Sequence, residues 1–555
     1  MVPGAEPVTT RAPAGKPREG HPEHAQRLRV RAQVPAGDWA DPLTLDLVAG
    51  GPIARERLSG SWRDTAALGA LAGAKRAPLP RELAEALEAM HRRLGASAAS
   101  LANLERLARG EAVAAVAGQQ PAVFGGPLFS LHKTASVVGL AADVQRRTGA
   151  ACVPLFWMHG EDSDFAEVRG LTLADAALEL HDFALPADAH ADGGLVGDIA
   201  LGPVSALGEQ ALEAWRDLPG AAEARGRWER SLGGARDLGE VMSALWLALF
   251  ADQGLVVVDP RLPALRAAAR AILERYLAHA DALHAAARRA GDRLEALAGR
   301  RALSEAALDS FVFAISDRGR RKLPVAEATR AGGASVLSPS VALRPAVQDG
   351  VFPTVIMACG PGEIAYLLEL REVFEGVGVR AALPAPRFGA TWLPAPAVEL
   401  LEAAGGDPWD VVTRTDQVLA RLAEARIPAP LGRALEEARE ASARAIAALG
   451  EAARGFDASL PQLVESARGK VDYQVARIAE GVLAKARARL DREHPSWRRL
   501  RYVLHPGDKL QERRLASLEP VARLGAGVIA GLCEHAAEHA ARAAEGRLEH
   551  WLLEC

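Results

Sequence analysis

The sequence is poor in cysteine. Cys152, Cys359, Cys533 and Cys555 are the only four in 555 residues. They lie far apart and form no CxxC pair, which argues against a zinc cluster and against a disulfide framework. Reduced thiols in a cytosolic protein are the simpler reading, so a cytoplasmic location is expected. Neither sign of charge is in excess, with 66 basic against 70 acidic residues and a net charge of −4. Such a balance gives no reason to expect nucleic-acid or membrane-surface binding. Long hydrophobic runs are missing too: the apolar stretches are strand-length or broken by charges, so no membrane span is expected. Aromatics make up only 5% of the chain.

What is present is length, alanine and arginine. Nearly half the residues are apolar, at 49%, so a sizeable core can be buried. The alanine bias raises helix propensity. A chain this long is expected to divide into several units. Residues Met1 to Glu23 are rich in Pro, Gly, Arg and Glu, lack an apolar signal core, and read as a disordered leader.

From about residue 24 an irregular entry gives way to helices, with Leu83, Leu87, Met90 and Leu94 at helical spacing within Glu82–Leu107. A strand-like run over Ala112–Ala117 is followed by a helix from about Pro127 to Arg147 and a buried strand over Cys152–Met158. This strand–loop–helix–strand unit is the signature of a parallel sheet. The alternation continues through a helix at Met242–Asp252, strand Gly254–Val258, a long helix Leu262–Leu297 and a strand at Phe311–Ile315. Strand Thr354–Ala358, a helix over Glu363–Glu375 and a closing strand at Val379–Leu383 complete an α/β domain over residues 24–408.

Past Trp409 the strand signal disappears. Leu431, Leu435, Ala438, Ser442, Ala445, Leu449 and Ala452 follow coiled-coil spacing, and after Gly455-Phe456-Asp457 a second run carries Leu460, Val464, Ala467, Val471, Val475, Ile478 and Val482 on one face. Two antiparallel helices are expected over residues 409–500, as an arm that packs on a partner. A helical segment, 501–555, is expected to return to the core. There is no convincing internal repeat.

Chemistry concentrates at strand ends. The segment from Gly118 through Gln119, Gln120, Gly125 and Gly126 to His132 and Lys133 leaves a strand and opens a helix. Ligands of open α/β sheets bind in the crevice at such carboxyl ends, and a helix N-terminus suits a phosphate or carboxylate. His132 and Lys133 can stabilise developing negative charge. The plainer reading is a turn before a helix with a structural histidine. The segment lacks G-x-G-x-x-G and the P-loop pattern, so a standard dinucleotide or P-loop site is unsupported.

The next strand end, Trp157 to Phe165, gathers His159, Glu161, Asp162 and Asp164, a cluster able to bind an amine or a metal ion or to serve as general base. Its plainer reading is a solvated turn in which Asp162 or Ser163 caps the following helix. A third group runs from Leu343, Arg344 and Pro345 to Gln348 and Asp349, then Cys359, Gly360, Pro361, Gly362, Glu363 and Tyr366. It can form the other wall of the crevice, with Arg344 holding a carboxylate or phosphate through its planar fork. Cys359 reads as a buried, inert thiol more readily than as a nucleophile. Leu504-His505-Pro506-Gly507-Asp508-Lys509-Leu510-Gln511-Glu512-Arg513, within the helical C-terminal region, reads on its own as a structural turn followed by a capped helix.

Taken in order, these segments resemble the cysteine-adding enzymes of bacillithiol synthesis. The stretch from Gly118 to Lys133 resembles that family's G-Q-Q-P-x-x-F-G-G-P-L-x-x-x-H-K. Trp157–Phe165 resembles W-x-x-x-E-D-x-D-F, and the third group and Leu510–Arg513 match further signatures. One departure stands out: Ser163 occupies the place of the histidine in the family's E-D-H-D, and Ser cannot take up a proton near neutral pH.

The resemblance implies a Rossmann-like core similar to class I nucleotidyltransferases, with connecting insertions, and a C-terminal α-helical coiled coil that makes a homodimer. It implies a ligase joining the carboxylate of L-cysteine to the amine of glucosaminyl-malate. ATP, with Mg2+, would activate the carboxylate as an adenylate or an acyl phosphate. His132, Lys133, Glu161, Asp162 and Asp164 would be catalytic. Gln119, Gln120, Gly125, Gly126, Arg344, Gly360, Gly362, Glu363 and Tyr366 would bind substrate or nucleotide, with no dedicated metal ligands. Two alternatives remain open. One is an ATP-dependent amino-acid-activating or nucleotidyl-transferring enzyme with another substrate; the other is a non-catalytic coiled-coil dimer that only binds a ligand.

Overall fold

The computed structural model describes residues 28–37, 39–316, 319–330, 337–457 and 459–555; the expected leader lies outside them. Five parallel strands form the central sheet, in the spatial order Leu383–Pro386, Thr354–Cys359, Val113–Gln119, Cys152–Met158 and Val256–Val258. The first of these in the chain therefore lies in the middle. Two successors extend the sheet to one side before the chain crosses back to build the other. Such an order creates a topological switch point between Val113–Gln119 and Thr354–Cys359, where a crevice opens at the carboxyl ends. The strands are almost wholly buried, as continuous apolar runs in covered parallel sheets are.

The two strands nearest the centre fall where apolar run and flanking turn place them. The closing strand does not: it begins at Leu383, where the expected strand ended, and contains Pro384 and Pro386. Proline removes a ladder donor, and this strand can hold two because it is the sheet edge. The run at Phe311–Ile315 is a strand (Val312–Ser316), but it belongs to a separate antiparallel sheet with Gly319–Lys322 and Leu337–Pro339. Helix Glu82–Leu107 is divided at Gly95 into Arg81–Arg93 and Ala98–Ala108, the second capped by Ser97, whose Oγ accepts from Ser100 N at 3.1 Å.

The arm consists of helices Ala429–Arg454 and Leu460–Glu493, which pack against one another. No residue of the first is buried, and Leu490 alone is buried in the second. The shorter helices Pro408–Thr413 and Thr415–Ala425 pack with Trp497–Leu504 at the base of the arm.

The C-terminal region returns to the core but is not all helical. After helix Val528–Ala544 it ends in strand Glu549–Glu554, which pairs antiparallel with Val30–Pro35 and parallel with Ala390–Leu393. This corrects the expectation of no strand beyond Trp409. The strand is short and buried on both faces, so it shows no alternation, and periodicity cannot separate such a run from helix. No described helix is long and apolar enough to cross a membrane.

Candidate active site at the strand ends

Lys133 lies in the second turn of helix Leu128–Thr148 and reaches back over the switch point. Its Nζ donates to Gly118 O at 3.1 Å and pairs with Glu363 at 2.7 Å. Glu363 belongs to the short helix after strand Thr354–Cys359, where its carboxylate also accepts from Gly360 N at 2.8 Å. One ion pair thus spans the crevice. Lys133 is buried and Glu363 nearly so, which strengthens their attraction over that of a surface pair.

The adjacent strand end is tied to the first by His159 N, which donates to Gln119 O at 2.8 Å. The His159 ring accepts at Nδ1 from Arg344 at 3.1 Å, which leaves the hydrogen on Nε2. Burial, and then the charges of Arg344, Lys133 and Arg320, hold this imidazole well below its ordinary pKa, so it is neutral. Gly118 makes room for it: a Cβ there would lie 2.5 Å from His159 Nε2.

Glu161 is buried, receives Arg266 at 3.0 Å and accepts from Ser338 Oγ at 2.8 Å. Burial raises its carboxyl above the ordinary range in spite of these partners. Asp162 accepts from Gln120 Nε2 at 3.2 Å and Ser163 N at 2.8 Å, and faces Arg320 at 3.5 Å. Gln120 also donates to Glu167 at 2.7 Å, and Gln119 donates to Gln120 Oε1 at 3.1 Å. Lys133, Gln119, Gln120, Glu161, Asp162, Arg344, Gly360 and Glu363 are thereby joined along neighbouring strand ends. Tyr366 lies half-buried in the helix that follows Gly360, and Gly362 is exposed there.

Other expected site residues point elsewhere. Asp164 is exposed and caps helix Phe165–Arg169 by accepting from Glu167 N at 3.2 Å, the role expected of Asp162 or Ser163 in the plainer reading. His132 is fully buried, 2.9 Å from Glu512 through Nδ1, while Trp392 Nε1 donates to its Nε2 at 3.2 Å. Indole nitrogen can only donate, so Nε2 accepts and Nδ1 carries the hydrogen. Burial lowers the imidazole pKa, against the pull of Glu512. Both ring nitrogens are therefore engaged within the protein.

Gly125 and Gly126, at φ 81° and 73°, form a buried turn beneath the C-terminal region. Ser517 N donates to Gly126 O and Ser517 Oγ to Pro127 O, each at 2.7 Å, and a Cβ on Gly125 would meet the Trp246 ring at 2.6 Å. These glycines serve packing rather than the cleft. Cys359 is buried, and burial holds its thiol well above the ordinary range, as an inert thiol requires.

Sequence reasoning missed several partners. Arg266 lies in a long helix and Arg320 in an inserted strand, where no local pattern marks them. Arg387 binds the Glu512 carboxylate with both terminal nitrogens, and Gln511 pairs with the backbone of Trp392 through both ends of its amide. The C-terminal signature is thus the clamp that docks this region on the core. Among the described residues, no group of three or more His, Cys, Asp or Glu side chains is arranged to hold a metal ion. A cavity of about 20 Å3, walled by Trp157, His159, Glu161, Asp162, Arg266 and Arg344 among others, lies over the end of strand Cys152–Met158, one strand removed from the bridge.

The profile for the N-terminal Rossmann-like domain of bacillithiol biosynthesis BshC matches residues 62–332 and 331–388, and that for its C-terminal coiled-coil domain matches residues 390–543. A relative from Koribacter versatilis named "Putative cysteine ligase BshC" is 30% identical over 473 residues, covering 82% of this chain and 87% of its own. Proteins of the same name from Geobacillus kaustophilus and Symbiobacterium thermophilum are 30% and 28% identical, covering 78% and 81% of this chain and 83% and 87% of their own. With a Rossmann-like sheet, a helical arm and both domain profiles matched in order, the chain belongs to the BshC family of ligases in bacillithiol biosynthesis.

Proposed function

We propose that this ligase joins the carboxyl of L-cysteine to the amine of glucosaminyl-malate, with ATP activating the carboxyl. The observation that carries the reading is the Lys133–Glu363 bridge across the switch point, with a carboxylate-bearing strand end one strand away. A free carboxylate does not acylate an amine, so it is first converted to an acyl phosphate or adenylate. Lys133 is placed to neutralise the charge that develops there, with Gln119 and Gly360 beside it.

The amine must lose a proton to attack. Asp162 is placed to receive it, with Glu161 as the buried second carboxyl; attack on the activated carbonyl then forms the amide and expels phosphate or AMP. Glu363, Gly362 and Tyr366 wall the opposite side. Mg2+ would enter on the nucleotide phosphates rather than in a protein cage.

The arm supports a homodimer. Leu431, Leu449, Leu463, Val471 and Ile478 are exposed along it, an apolar stripe that a second copy would cover. Four free thiols fit a reducing, cytoplasmic setting.

The test is a mass-spectrometric assay with L-cysteine, glucosaminyl-malate and Mg-ATP, and a control lacking ATP. Bacillithiol formed only with ATP is the expected result; its absence from folded protein rejects the reading. Ser163 favours a second reading, an amino-acid-activating enzyme with another substrate. ATP turnover with an amino acid other than cysteine would select it.

A further inference from the structure

Arg344 lines the cavity over the end of strand Cys152–Met158, and Arg320 stands behind its wall, held to the lining residues Asp162 and Pro339; neither arginine has a carboxylate to itself. Arg320 comes from the inserted sheet, where its backbone N donates to Gly193 O at 2.6 Å. Its side chain is only 4% exposed and lies 3.7 Å above the Phe313 ring. It donates to Pro339 O at 3.0 Å and reaches Asp162 only at 3.5 Å, and its Nε is buried without a hydrogen-bond partner. Burial first, then the charge of Arg344, pushes this guanidinium down to about 10. Arg344 spends a donor on the neutral His159 ring and forms no ion pair among the described residues.

The charges around the cavity do not cancel. Lys133 is matched by Glu363 and Arg266 by Glu161. Arg320 shares Asp162 with Gln120 and the Ser163 backbone. Arg344 is left over. A guanidinium as buried as that of Arg320, with its counter-ion no nearer than 3.5 Å, is costly, and an anion arriving beside it and the unpaired, half-buried Arg344 relieves the cost. The indole Nε1 of Trp157, on the same wall, is likewise buried without a hydrogen-bond partner. The space, about 20 Å3, is on the order of one ordered water or the head of a carboxylate.

We infer that Arg320 and Arg344 form an oxyanion subsite beside the switch point, built to take a carboxylate or phosphate of a substrate. This rests on the reading of the cleft as the ligase centre and deepens it by assigning the anionic end of a substrate. The cavity lies over the ends of Cys152–Met158 and Val256–Val258, with Pro260 in its wall, one strand removed from the Lys133 bridge. That offset suits the malyl carboxylates of the acceptor; nucleotide phosphate is the other source of the same chemistry.

Calorimetric titration of the full-length protein with L-malate, and separately with inorganic phosphate and ADP, tests it. Arg344→Gln and Arg320→Gln are expected to weaken at least one probe by about tenfold or more, and Arg344→Lys by less. Loss confined to malate assigns the subsite to the acceptor, and loss confined to phosphate and ADP assigns it to the nucleotide; both uphold it. Unchanged affinity for all three probes in both glutamine variants, or no binding of any to the wild type, overturns it. Arg344 is only half-buried, so its variants carry the test if Arg320→Gln fails to fold. Malate binding without bacillithiol synthesis by the wild type would reject the ligase reading and leave the subsite standing.

Discussion

Lys133 and Glu363 meet at 2.7 Å across the topological switch point, one from the helix after the central strand and one from the helix after its neighbour. The pair holds two strand ends together and presents an ammonium where charge would develop. Lys133→Met is expected to lower kcat by on the order of 10²–10³. Lys133→Arg should restore part of it. Steady-state turnover with circular dichroism as a folding control decides the matter, and turnover near wild type would remove Lys133 from the chemistry.

His132 and Glu512 call for a different outcome, because their bond docks the C-terminal region. Burial alone would raise Glu512, but Arg387 and the hydrogen bond from His132 hold it well below the usual carboxylate range. His132→Ala should cost about 1–3 kcal/mol of stability, and Glu512→Gln, which strands Arg387, about 3–5 kcal/mol. Urea unfolding gives both numbers. A His132→Ala protein of unchanged stability and abolished turnover would return His132 to the list of catalytic groups.

Buried imidazoles set the acid limit. Burial pushes His91, His539 and His550 down to about 4. In the unfolded chain each takes a proton near pH 6.5, whereas in the folded protein it stays neutral until about 4. Stability is therefore full above about 6.5 and falls as pH drops through that window, by about 1.4 kcal/mol per pH unit for each group. The raised carboxyls of Glu161 and Glu519 act in the opposite sense near the lower end. Thermal melts from pH 8 to 4.5 should show a steep decline that His539→Phe makes shallower; a flat profile would refute the account.

The exposed stripe on the arm predicts its own test. Leu449 and Ile478 are 58% and 60% exposed. Leu449→Glu combined with Ile478→Glu should convert a dimer to a monomer in light scattering while leaving the melt of the core unchanged. A wild type that is already monomeric would reject the dimer.

The central sheet was legible because its strands are continuous apolar runs giving way to Gly and polar residues, as at Val113–Gln119 and Cys152–Met158. The edge strand was not, since Pro384 and Pro386 suppress the usual signal. At the site, Glu161 and Asp162 could be found because they follow an apolar strand directly. The place of His132 could not: it is decided by Glu512 and Trp392, which are remote in the chain, and no spacing rule reaches that far. Arg320 was invisible for the same reason, being carried in by an inserted strand.

The small sheet that joins Val30–Pro35 to Glu549–Glu554 bears on how the molecule assembles. Val30 pairs with Leu553, so nearly the whole chain lies between partners. Closing so long a loop is entropically slow, and the first strand must wait unpaired while the Rossmann-like core forms from nearer neighbours. The same late arrival brings Gln511 and Glu512 to Trp392 and Arg387. On the ribosome, the protein would therefore acquire its switch point early and the clamp behind it only after the arm has been made.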